Sequence, residues 1–156
     1  MGGSAAMDKI VDLKGQEVGL SDWLLIDQER VNKFAECTDD HQWIHVNEEM
    51  AAKGPFGKTI AHGFLTVSLI SALSSCVKLP LEGLNIQMAV NYGLNKVRMI
   101  NPVPVGSRIR TRVVLQDVQE KGPGRILITY GHTIEIEGQE KPACVAENLG
   151  MLFIDQ

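Results

Sequence analysis

The spacing of apolar residues changes period partway along the chain. Up to residue 79 they recur every three or four positions, and beyond Pro80 they alternate. In the first half, Asp27 is placed to cap a helix whose apolar positions are Val31, Phe34 and Ala35, and which should stop near Thr38. A short strand is expected before it at "DWLLI". Asn47 should cap a second, shorter helix, "EEMAAK", ended by Gly54 and Pro55, which leaves residues 38–46 between helices. The run "AHGFLTVSLISALSSCVKL", 61–79, has no charged face, so it predicts one long helix buried on most sides. Ser68, Ser71 and Ser75 form a stripe on that helix; for Ser68 and Ser75 the expected role is a bond back to a carbonyl of the preceding turn.

In the second half, "SRIRTRVVL" sets Ile109, Thr111, Val113 and Leu115 against Arg108, Arg110 and Arg112, a strand with one wet face. "GPG" at 122–124 turns the chain into "RILITYGHTIEIEG", whose Ile126, Ile128, Tyr130, His132, Ile134 and Ile136 share a face. "ACVAENLGMLFI" supplies a last strand. The fold class is therefore α+β, a single domain in which a sheet curls around one buried helix.

A chain of 156 residues fits one domain with a proper core. Its net charge of −4 offers no basic excess to attract nucleic acid or anionic lipid. Three widely spaced cysteines, Cys37, Cys76 and Cys144, without a basic-then-apolar leader before them, favour reduced thiols and a cytoplasmic location. No stretch reaches the length of a membrane span, so no membrane association is expected. Residues 1–6 read as an expression-tag remnant ahead of a natural Met7, and the domain is taken as 8–156.

The chemistry concentrates in "FAECTDDHQWIHVN", 34–47. Asp40 and His45 are five residues apart, so on a helix they would point about 140° away from each other. They converge only across a turn or loop. Trp43 and Ile44 give such a loop a reason to fold against apolar surroundings, leaving a carboxylate and an imidazole at the edge of a poorly hydrated pocket. Burial would raise the Asp and the carboxylate would raise the His, making an acid/base pair. Spacing alone favours a structural role for both: Asp40 capping a turn, His45 half-buried and satisfied. His41 and His45, with His62 as a third, have ligand-like spacing, but "HQWIH" lacks a glutamate and no cysteine pair is near, so no metal is expected. His132 reads as a satisfied core or interface histidine, and the arginine row as a solvated face.

With the Asp40–His45 loop, "GKTIAHGFLTVSLIS" and "NYGLNKVRMINPVPVGSRIR" together, the sequence resembles the MaoC-like dehydratases. These include the (R)-specific enoyl-CoA hydratases, and the NodN-like branch is the nearest match. Matching segments run from about residue 25 to the C-terminus. The Asp-x4-His spacing combined with Ile-Ala-His-Gly carries the likeness. The resemblance implies a hotdog domain, a long helix wrapped by a curved antiparallel sheet. It assigns the catalytic pair to Asp40 and His45, and the thioester-oxygen donor to the backbone N–H of Gly63. It implies supporting roles for Ser71, Gln42 and His62, and a substrate tunnel along Trp43, Phe64 and Leu65. The family's Gly, Asn and Pro are replaced here by Asp39, Gln42 and Trp43.

The function so implied is reversible hydration of trans-2-enoyl thioesters to (R)-3-hydroxyacyl thioesters, without metal or redox cofactor. The substrate is carried on CoA or acyl carrier protein, and the enzyme is a homodimer. The rival readings are a non-catalytic acyl-CoA-binding subunit and a hotdog thioesterase.

Overall fold

The computed structural model describes residues 2–155. Helix α1 (Gly2–Val11) leads into two short strands, β1 (Glu17–Leu20) and β2 (Leu24–Leu25). Then come α2 (Gln28–Thr38), α3 (Trp43–Val46), α4 (Glu48–Ala52), α5 (Gly63–Ser68), α6 (Ile70–Leu73) and a 3-10 turn, Ser74–Cys76. Four long strands follow: β3 (Ile86–Met99), β4 (Arg108–Glu120), β5 (Arg125–Ile136) and β6 (Cys144–Ile154). All pairings are antiparallel in the order β1-β4-β5-β6-β3, with β2 also on β4.

The capping residues act as their side chains dictate. Asp27 Oδ1 accepts from Arg30 N at 2.8 Å, and Asn47 Oδ1 from Met50 N at 3.0 Å. In β4, Ile109, Thr111, Val113 and Leu115 are fully buried, whereas the three arginines face outward. These arginines are not bare: Arg108 pairs with Glu137, Arg110 with Glu135, and Arg112 with Glu135 and Glu17.

The helix over 61–79 is shorter than its pattern predicts and is divided at Leu69, whose ψ is −12°. The Leu65 carbonyl there accepts from both Leu69 N and Ser68 Oγ, a back-bond that bends helices. Further along, Ser74 rather than Ser75 bonds back, to Ile70 O. The divided helix buries Leu65, Leu69, Ile70 and Leu73 against Ile109, Ile134 and Ile136. It does not reach the other end of the sheet. There α1 takes its place, with Met7 and Ile10 against Val113, Leu115, Ile126 and Ile128. The segment set apart as 1–6 thus enters the helix at Gly2 and contributes Ala6 to the core.

Candidate active site

Helix α2 ends at Thr38, and Asp39 follows in the left-handed region (φ 58°, ψ 20°). That reversal throws Asp40 outward and lets the chain re-enter as α3, a single turn inside the stretch expected to be irregular. Asp is among the few side chains that tolerate this conformation, which explains how it can stand where the family has glycine. Gln42 opens α3 and is exposed; its carbonyl accepts from His45 N at 3.0 Å.

His45 is 6% exposed. Its Nδ1–H donates to Ile60 O at 2.7 Å, which leaves the lone pair on Nε2. Gln28, at the start of α2, fixes the same turn by donating to His45 O at 2.8 Å, and Thr59 donates to Gln28 Oε1 at 2.6 Å. Burial holds the His45 pKa below the ordinary imidazole value, and neighbouring His62 pushes the same way. The Ile60 carbonyl and Asp40 oppose this without reversing it. The expectation that a carboxylate would raise this histidine is therefore corrected: desolvation outweighs an Asp40 that is itself solvent-exposed.

His62 lies beneath the pair. Its ring stacks on His45 with centroids 3.9 Å apart and planes at 24°, and Phe34 packs on it at 5.0 Å. Its Nε2–H donates to the backbone carbonyl of Asp40 at 2.9 Å. Polar atoms of Asp40, His45 and His62 lie within 4.8 Å of one another. Imidazole lone pairs lie in the ring plane, so nearly parallel rings direct them side by side instead of onto one point. This geometry suits proton handling better than metal ligation. His41, the other half of the ligand-like pair, is on the surface 3.8 Å from Glu36.

His45 opens onto a cavity of about 300 Å³ whose walls include Phe56, Ile60, Gly63, Thr66, Met99 and Val103. Gly63 is the first residue of α5, where backbone N–H groups have no acceptor within the helix. A Cβ at this position would lie 3.2 Å from Met99 Cγ, so glycine leaves the room that the Met99 side chain takes up here.

The other residues singled out in the sequence lie elsewhere. Trp43 packs over Gly54, where an added Cβ would be 2.9 Å from the indole. Phe64 is 77% exposed, and Leu65 belongs to the core. Ser71 accepts from Asn91 Nδ2 at 3.3 Å beside a separate hollow that includes Val67 and Tyr92. Gln28, Thr59, Thr66, Phe56 and Met99 had no signal in the sequence, because what places them is contact between distant segments.

This acid and imidazole, beside a glycine that opens a helix within a hotdog domain, define a hydro-lyase of the MaoC-like class. The chain belongs to that family: the family model described as "MaoC like domain" matches residues 9–135. Among its relatives, the 3-hydroxyacyl-thioester dehydratase Z of Mycobacterium tuberculosis is 53% identical over 135 residues, 86% of this chain and 87% of that protein. Nodulation protein N of Rhizobium leguminosarum bv. viciae is 45% identical over 144 residues, 90% of this chain and 87% of that protein. Among solved structures, the (R)-hydratase from A. caviae involved in PHA biosynthesis superposes with a TM-score of 0.67 at 25% identity, covering 87% of this chain and 96% of that one. No helix among the described residues is long and apolar enough to cross a membrane.

Proposed function

We propose that the protein is an (R)-specific hydratase of trans-2-enoyl thioesters, working reversibly on (R)-3-hydroxyacyl thioesters, with Asp40 and His45 as its acid/base pair. The observation that carries this is a neutral, tautomer-fixed His45 with its Nε2 free, which lies within 4.8 Å of Asp40 and opens onto a cavity that Gly63 also lines. In hydration, a water held by the pair gives up a proton and its oxygen bonds to Cβ. The electron pair of the double bond moves toward the thioester, whose oxygen is held by Gly63 N–H, and Cα then takes a proton from the pair. Asp40 and His45 divide the two transfers between them as a coupled unit. The scheme uses no metal or redox cofactor.

CoA or an acyl carrier protein delivers the substrate. Arg108, Arg110 and Arg112 are poor candidates for contacting the carrier, since each is already paired with glutamate. A homodimer is supported by β3, an edge strand whose Met88, Val90, Tyr92 and Leu94 are exposed. A reducing compartment such as the cytoplasm suits three free thiols.

The test is purified protein with crotonyl-CoA, following loss of the enoyl thioester absorbance and the chirality of the product, with the mass of the same sample taken by light scattering. An (R)-3-hydroxyacyl product from a dimer is expected. An (S)-product, or binding without turnover at any chain length, rejects the assignment. Release of free thiol with the double bond intact would indicate a thioesterase, and a monomeric mass would reject the dimer.

A further inference from the structure

His62 touches every part of the site, yet the scheme above gives it no proton to carry. Its backbone is held by the first turn of α5, where its carbonyl accepts from Thr66 N at 3.2 Å, and the next residue is Gly63. Its ring is clamped between Phe34 of α2 and His45 of α3. Its Nε2–H reaches across to the carbonyl of Asp40, in the loop that leaves α2. One residue thus links the backbone that carries the carboxylate, the imidazole and, as its chain neighbour, the amide. These three sit on separate short segments, and no hydrogen bond joins the Asp40 carboxylate directly to His45 or to Gly63 among the described residues.

The other ring nitrogen sharpens the point. His62 is 2% exposed, and its Nδ1 is buried without a partner. An unpaired buried nitrogen is a cost that a phenylalanine of similar size and stacking ability would avoid. Packing therefore does not explain the imidazole; the single bond from Nε2 to the Asp40 carbonyl does.

We propose that His62 is the positioning residue of this site, setting the location of the Asp40 carboxylate relative to His45 and Gly63 through the Asp40 backbone. The proposal rests on the assignment of Asp40 and His45 made above. Because His62 contacts the Asp40 backbone and the His45 ring and does not line the cavity, the effect falls on the chemical step rather than on substrate binding. The titratable groups facing His45 are Asp40 and His62, so a change at His62 acts on the pair and on nothing else that titrates there.

Two variants separate the ring from the donor. His62→Phe keeps an aromatic stack and loses the N–H; His62→Gln keeps an N–H at similar reach and loses the ring. With crotonyl-CoA, His62→Phe should lose about 100-fold in kcat, the scale of a misplacement of about 1 Å. Its KM should stay within about threefold of wild type and its melting temperature at or above it. His62→Gln should recover at least tenfold of the lost kcat. A His62→Phe enzyme within about threefold of wild-type kcat overturns the proposal, as does a loss that follows a fall in melting temperature or a His62→Gln no better than His62→Phe. A readout independent of turnover is amide hydrogen exchange. Amides 39–42 should exchange about tenfold faster in His62→Phe than in wild type or His62→Gln, with the β4–β5 amides unchanged. Unchanged exchange at 39–42 rejects the clamp even if the protein proves to turn over no enoyl thioester.

Discussion

Two regions of this protein bury a histidine whose basicity is lowered, and only one of them has the makings of an active site. At mid-strand in β5, His132 is 2% exposed, with Nδ1 3.0 Å from Thr111 Oγ1, Tyr130 at its edge and Nε2 unpaired. Burial pushes its pKa down to about 4. His45 is likewise buried and likewise lowered by burial. Depressed basicity therefore does not separate the two. What separates them is convergence: His45 has a carboxylate nearby, a free Nε2 and a cavity of about 300 Å³, whereas His132 has a hydroxyl and a closed sheet core.

If that distinction holds, His132 should matter for stability and not for turnover. Its pKa is lower folded than unfolded, so the unfolded chain takes up the proton first as pH falls. Stability from this group is complete above about pH 6.5 and is lost down to about pH 4, by up to about 3 kcal/mol. Urea unfolding at pH 7.5 and 4.5 should show this loss, and His132→Leu should remove most of it while keeping kcat/KM within about threefold. An equally steep pH dependence in the variant would mean that carboxylates such as Asp117 and Glu135, both lowered by cationic partners, carry the acid sensitivity instead.

A smaller effect is expected where the loop leaves α2. Asp39→Gly relieves a left-handed non-glycine residue at some cost in chain entropy, and should stabilise by about 0.5–1 kcal/mol. Thermal melts should rise by about 1–4 °C for a chain of this size. No rise would mean that the aspartate meets the left-handed conformation without strain.

The contrast between the two histidines also bears on what the sequence could convey. Elements whose pattern is settled by local chemistry were readable: the caps at Asp27 and Asn47, and the buried and wet faces of β4 and β5. Strand β3 was not, because its residues are exposed along almost their whole length in a single chain and carry no alternation of burial. The division of the helix at Leu69 depends on a serine back-bond, and the role of α1 depends on how far that helix reaches. At the site, the Asp40–His45 spacing took its meaning from resemblance to a family, since spacing alone favoured a structural reading. The network around the pair was hidden because it is long-range: Gln28 to His45, Thr59 to Gln28, and His62 to Asp40 span 17, 31 and 22 residues. The tunnel was expected along Trp43, Phe64 and Leu65, but the cavity walls include Phe56 and the stretch from Met99 to Val103, which the fold brings from two other segments.

The most direct test of the central claim is kcat/KM for crotonyl-CoA in wild type, Asp40→Asn and His45→Ala, measured side by side with melting temperatures. The account predicts a loss of about two to four orders of magnitude in each variant with the fold retained. A folded variant of either residue that keeps wild-type activity would contradict it.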